Sequence, residues 1–144
     1  MPAHRTSSAR DDSLALLDST TFTIFGAAAG NIVDIGDGQK QGRIVFDVTA
    51  IESNTALDAY SFTLVGATSS ALTDYRHLGN LTLGNAAATG NSTSSVANRY
   101  ELTFSNEVPT GLGQFQTYRY LALIVVSVTD GAGITCSANV AVDR

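Results

Sequence analysis

The hydrophobic pattern along the chain is organised around Tyr118 to Thr129, the longest apolar run. Tyr118, Tyr120, Ala122, Ile124, Val126 and Val128 fall on one face of an extended strand, and Leu121, Leu123 and Val125 on the other. A strand that is apolar on both faces is expected to be central and covered twice. The Asp130-Gly131 step that follows suits the positive φ of a hairpin turn. Beyond it, Ile134, Cys136, Ala138, Val140 and Val142 alternate with Thr135, Ser137, Asn139, Ala141 and Asp143, the period of a half-buried partner strand. The pattern predicts a C-terminal hairpin.

Upstream, Ser13 to Asp18 reads as a capped helical turn or the start of a first strand. Thr20 to Phe25 is strand-like by β-propensity, Gly26 to Gly30 breaks it, and Asn31 to Ile35 is a short second strand. Gly36 to Gly42 is a loop by glycine content. Arg43 to Ile51 alternates with Ile44, Phe46, Val48 and Ala50 on one side, and Ala59 to Val65 presents Tyr60, Phe62 and Leu64. Gly66 to Thr73 is a loop, and Arg76 to Leu83 is a weaker strand with Leu78, Leu81 and Leu83 as core candidates. Gly84 to Ser95 is an unpatterned exposed loop. Arg99 to Ser105 resumes a strand through Tyr100, Leu102 and Phe104, and Asn106 to Gly113 is turn material. About eight short strands without a long helix predict two antiparallel sheets packed face to face, a jelly-roll-like β-sandwich. Residues 1–13 lack any hydrophobic period and are expected to form an N-terminal arm, with residues 14–144 as the sandwich domain.

Composition narrows the function. Charged residues make up 15% of the 144, below the usual quarter, and Lys40 is the lone lysine. That suits a domain facing other protein over much of its surface. The formal charge of −5 and the lack of any Lys/Arg run argue against nucleic acid as a partner. No stretch approaches the length of a membrane span, and no apolar region follows Arg5 and Arg10 as a secretory signal would require. The single Cys136 has no internal disulfide partner and sits on an alternating strand, where it reads as a small core residue.

Chemistry-bearing patterns are sparse. His4 and His77 are the two histidines, and no Gly-x-Ser-x-Gly elbow accompanies them. His77 reads as a strand-edge residue hydrogen-bonded locally. Neither Cys-x-x-Cys nor His-x-x-x-His occurs, so no zinc site is expected. Asp34 and Asp37 with Gly36 and Gly38 make a small acidic loop that falls short of a Ca²⁺-binding loop and reads as a solvated turn. The glutamates Glu52, Glu101 and Glu107 show no spacing that selects a catalytic pair. The chain lacks Trp, although Tyr60, Tyr75, Tyr100, Tyr118 and Tyr120 could offer platforms to a sugar. Catalytic residues and cofactors are therefore expected to be absent.

The order of segments resembles the capsid cement (decoration) proteins of tailed phages, of the Bordetella-phage type. The resemblance lies in Leu16-Leu17-Asp18-Ser19, then Asn31-Ile32-Val33-Asp34-Ile35-Gly36, the strand at Arg43–Thr49, Phe62-Thr63-Leu64, and Tyr118-Arg119-Tyr120-Leu121, together spanning about residues 14–143. The arm before Leu14 is longer than in that family. The resemblance implies a jelly-roll structural protein on the outer surface of an icosahedral virion shell, made in the cytoplasm of the bacterial host. Its implied partners are the major capsid protein and itself, as a dimer or trimer at symmetry axes, with neither nucleic acid nor membrane. Arg5, Arg10, Leu14, Leu16 and Leu17 are the expected contact residues, reaching onto a neighbour or the shell. The alternative is a receptor- or carbohydrate-binding sandwich of a phage fibre or a cell surface.

Overall fold

The computed structural model of the protein describes residues 14–22, 26–128 and 133–143. The expected N-terminal arm lies outside them. The two most regular strands set the frame. In β4 (Gln41–Ile51), Ile44, Phe46 and Val48 alternate into the interior. In β5 (Ala59–Ala67), Tyr60, Phe62 and Leu64 do the same from the opposite side. The rings of Phe46 and Phe62 meet at 5.1 Å between centroids, tilted by 58°, so two sheets face each other across this contact.

The first sheet has the order β1 (Ala15–Phe22), β11 (Ile134–Val142), β4 and β7 (Arg99–Ser105). The second runs β2 (Gly26–Ala29), β10 (Tyr120–Val128), β5 and β6 (Arg76–Gly84), and the two-residue β3 (Val33–Asp34) also pairs with β10. All pairings are antiparallel. Leaving out β3, the strands of these sheets pair first with last (β1 with β11), second with seventh (β2 with β10), third with sixth (β4 with β7) and fourth with fifth (β5 with β6). That is a long antiparallel ribbon rolled up so that successive pairs alternate between sheets, the jelly-roll arrangement expected from the strand spacing. A separate hairpin, β8 (Glu107–Gly111) with β9 (Gln114–Thr117), stands outside both sheets.

This topology corrects the predicted C-terminal hairpin. β10 and β11 do not pair: β10 bonds to β2, β3 and β5, and β11 to β1 and β4. Each is central in its own sheet, so both of its edges are already used. The Asp130-Gly131 step that suggested the hairpin falls outside the described residues. The outer face of β10 and of the residues leading into it is covered only in part, over Tyr118 and Ala122. Leu121, Leu123 and Val125 are buried in the core, whereas Tyr120 and Ile124 are half-buried and Val126 is 40% exposed on the outer face.

Other departures have local causes. The Gly26–Ala29 stretch, expected as a break, is strand β2, because β10 supplies a ladder that overrides the weak β-propensity of Gly and Ala. Ala50 is exposed rather than inward, since a register shift opposite Thr135 and Cys136 hands the inward place to Ile51, which packs on the core. A second bulge leaves Leu78 between the paired His77 and Gly79, which is why Leu78 and Leu81 both approach the core from positions of opposite parity. The unpatterned Gly84–Ser95 loop is tied down by its own side chains. It holds a short helix, α1 (Ala86–Thr89), whose N-cap Asn85 accepts from the Ala87 N–H and donates to the Ser53 carbonyl. The hydroxyls of Ser94 and Ser95 accept from the N–H groups of Ala86 and Gly84.

The inter-sheet contact is expected to dominate stability. Phe46→Ala and Phe62→Ala should each cost about 3–5 kcal/mol in urea unfolding. A double-mutant cycle between them should return a coupling of about 0.5–1.5 kcal/mol.

Candidate functional site

The β8–β9 hairpin stands apart from both sheets, and its base is set by one buried residue. Asn106 has no exposed surface and joins three segments. Its backbone N–H donates to the Lys40 carbonyl and its carbonyl accepts from the Tyr118 N–H, each at 3.0 Å. Its side-chain oxygen accepts from the Lys40 N–H at 2.6 Å, while the amide nitrogen donates to the carbonyls of Gly38 and Tyr118, each at 3.0 Å. Asn suits this place because its side chain presents an acceptor and a double donor at once. The donation to Tyr118 replaces the ladder bond lost when the Asn106 N–H turns to Lys40. Asn106 thus releases the chain from β7 into β8 without leaving an orphaned polar group.

From that base the hairpin reaches into solvent. Its turn is Leu112-Gly113, with Gly113 at φ 68°, a left-handed conformation that favours glycine. Leu112 is fully exposed at 103%, and Phe115 is 60% exposed. Residues 108–118 contain no Asp, Glu, Lys, Arg or His.

Beside the hairpin, Arg119 clamps the loop between β3 and β4. Its guanidinium donates to both oxygens of Asp34, at 2.7 and 2.8 Å, and to Asp37 at 3.2 Å. It also lies 5.5 Å from the Tyr120 ring centroid. The Arg119 carbonyl accepts from the Ile35 N–H, and Lys40 Nζ donates to the Asp37 carbonyl. The Arg119 guanidinium, with help from the Gly36 N–H, holds the Asp34 carboxyl below the ordinary carboxylate range, and the Arg119 pKa rises in return. A polar depression of about 270 Å³ opens here, lined among others by Asp37, Thr68, Gln116 and Arg119. At its rim the Asp74 carboxyl is likewise lowered, because the Thr68 hydroxyl and N–H both donate to it.

The expected contact residues fall elsewhere. Leu16 and Leu17 are core residues, 0% and 2% exposed, and Leu14 packs against the core partly buried. Register shifts on both sides of Leu17 in the β1–β11 ladder accompany the burial of two adjacent leucines. Their surface is therefore spent inside the sandwich, which corrects their assignment to a partner face. Arg5 and Arg10 lie outside the described residues. The hairpin was hidden in the sequence as turn material; the one legible signal was two short β-capable runs, Glu107–Thr110 and Gln114–Thr117, around Gly111-Leu112-Gly113.

The acidic loop that suggested a cation has its carboxylates turned to Arg119. Among the described residues no group of three or more His, Cys, Asp or Glu is placed to hold a metal ion. His77 lies on edge strand β6 and stacks on Tyr75 at 6.1 Å between ring centroids. Cys136 is free and buried, and desolvation pushes its thiol up to about 12, well away from the thiolate that reactivity needs. No described helix is long and apolar enough to cross a membrane.

Two outcomes test this geometry. Asn106→Ala leaves the Lys40 N–H and the Gly38 and Tyr118 carbonyls without their partner, and should cost roughly 2–4 kcal/mol in chemical denaturation. For Asp34 the folded pKa lies below the unfolded one. Its contribution is therefore complete above the unfolded pKa, near 3.8, and is lost as pH falls through the lowered folded value. Asp34→Asn should destabilise at neutral pH, and the difference should shrink as pH falls through the lowered folded value. An NMR titration of the Asp34 carboxyl should show its midpoint return toward 3.8 in Arg119→Leu.

No family model matches this chain and no curated protein sequence matches it, so the functional reading rests on the fold and on the residues of this pole.

Proposed function

We propose that the chain is a structural cement protein that binds the outer surface of an icosahedral phage shell and clamps neighbouring capsomers. The observation that carries this reading is the hairpin: a projection with no charge over residues 108–118 and an apolar tip, Leu112 fully exposed, fixed to the jelly roll by the buried Asn106. Such an element offers contact area without charge desolvation, which is what a seam-spanning protein needs. The polar groups nearby are committed to one another: Asp34 and Asp37 to Arg119, Asp74 to Thr68, and Asn106 to backbone. That arrangement favours a contact surface over catalysis.

The partners in this reading are the major capsid protein and further copies of the chain, and the place is the outside of the virion. Opening a seam of the shell would then also require breaking cement contacts, so bound copies stabilise the closed shell by mass action. Symmetric copies raise the effective concentration of each contact. The segment before Leu14 carries Arg5 and Arg10, balanced by Asp11 and Asp12, and the two arginines would pair with acidic shell residues.

One observation favours the alternative, a receptor- or carbohydrate-binding module. Tyr75, 48% exposed, stacks with His77 beside Asp74 and Arg76, an aromatic and polar surface of the kind that takes sugars.

Quantitative mass spectrometry of purified particles from the source phage separates the two. Cement predicts a copy number near a simple ratio to the shell subunit, and particles carrying a chain without residues 1–12 should retain fewer copies. A handful of copies per particle would favour the receptor-binding module, and absence from the particle would sink the cement reading.

A further inference from the structure

We propose that the free edge of β9 is a self-association site, which joins two copies of this chain by antiparallel β9–β9 pairing about a twofold axis. This names the self-association element of the reading above, but it rests on strand chemistry alone and needs no shell.

The hydrogen-bond phase of the hairpin fixes which backbone groups are free. The Tyr118 N–H donates to the Asn106 carbonyl, so that pair is a bonded one. The register continues as Thr117 opposite Glu107, Gln116 opposite Val108, and Phe115 opposite Pro109. Bonded and non-bonded pairs alternate along an antiparallel ladder. Gln116 therefore bonds toward β8, while Phe115 and Thr117 aim their N–H and C=O groups away from it. Pro109 obeys the same phase: it occupies a non-bonded position, where its missing N–H would have faced solvent.

The two edges of the hairpin thus differ. The β8 edge is blunted by Pro109 and Glu107. The β9 edge, Gln114-Phe115-Gln116-Thr117, has no charge and no proline, and the register shift opposite Gln114 and Phe115 puts its extra residue, Thr110, on β8. Among the described residues, β1 carries register shifts, β6 has Arg76 and its bulge, and β7 has Arg99 and Glu101.

Charge selects a second copy as the occupant. In antiparallel self-pairing about a twofold axis the residue on the axis meets its own counterpart, so a charge at or near the axis would approach its like, which is destabilising. With a net charge of −5, two copies of this chain repel each other as they approach. Residues 108–118 are uncharged, and there approach meets the least repulsion. Antiparallel pairing of a strand with itself is isologous, closing at two copies. Phe115 and Thr117 of one copy would exchange N–H and C=O bonds with Thr117 and Phe115 of the other, placing the axis at Gln116. The Gln116 amide, which now donates to the Thr117 carbonyl at 3.0 Å, would yield that acceptor to the incoming strand. Each Phe115 ring would lie over the other copy's hairpin.

The register makes the proposal specific. Gln116 would face its own counterpart in a non-bonded pair, with Cα atoms about 4.5 Å apart, inside the roughly 4.4–6.8 Å that a disulfide spans. Light scattering on the full chain should give twice the 15.0 kDa chain mass. Gln116→Cys should cross-link to a dimer under mild oxidation, whereas Thr110→Cys on β8 should not; Cys136 is buried and does not interfere. Phe115→Pro removes a donor that faces away from β8, so it should weaken the dimer by about tenfold or more while circular dichroism stays unchanged. A wild-type chain that remains monomeric at the highest concentration reached would overturn the proposal. So would a dimer that Phe115→Pro leaves intact, or one in which Thr110→Cys cross-links as readily as Gln116→Cys. Because the readout is the isolated protein, failure here leaves the particle count untouched, and the reverse holds as well.

Discussion

The burial of one sheet face against the other is the contact on which the molecule depends. Ile44, Phe46 and Val48 of β4, with Ile134, Cys136 and Ala138 of β11, share one buried cluster with Tyr60, Phe62 and Leu64 of β5, Leu83 of β6 and Leu121, Leu123 and Val125 of β10. Each sheet covers the inner face of the other. A sheet alone would expose that face to water, at about 25 cal/mol for each Å² of apolar surface. The sheets therefore form together or not at all, and the route of the chain follows from that need. Strands adjacent in sequence, such as β10 and β11, are sent to opposite sheets so that each can be central and apolar.

Rolling a long ribbon into this sandwich gathers the connections at the two ends. One end is closed by the Ser53, Asn85, Ser94 and Ser95 side chains, which turn a small-residue loop into a bonded cap. The other end is closed by Asn106 and by the Arg119 clamp on Asp34 and Asp37. The two closures differ in kind. The Asn106 bonds are buried and neutral, so they hold at any salt concentration. The Arg119 pairs are on the surface and screened, which suits an orienting contact more than a stabilising one. What Asn106 holds steady is the exit of the β8–β9 hairpin. A two-stranded hairpin is marginal by itself, and this one has a fixed base and a free, uncharged end. It is built to be completed by another surface.

Much of the architecture was legible in the chain. Alternation identified β4, β5, β7 and β11, because on these strands large inward side chains alternate with smaller or more polar ones. The bulges at Leu78 and opposite Thr135 were not legible, since a single inserted residue reverses the parity on which the alternation rests. The start of the sandwich was not legible in the same way. Leu14, Leu16 and Leu17 looked like a sticky segment at the start of the chain, but a leucine's stickiness is the same whether it meets a partner or its own core, and only packing against β11 assigns them to the latter.

By itself, then, the sequence determined the class of fold, the identity of the core strands and the low charge of the surface, because these follow from local periodicity and composition. It could not decide which strands pair. Strand edges are all backbone and nearly alike, so pairing is settled by the global requirement that both sheets be covered. For the same reason only the tertiary structure could show that Asn106 is a hub rather than a turn residue. Its partners Gly38, Lys40 and Tyr118 lie up to 68 residues away in the chain and meet it only when the sandwich closes.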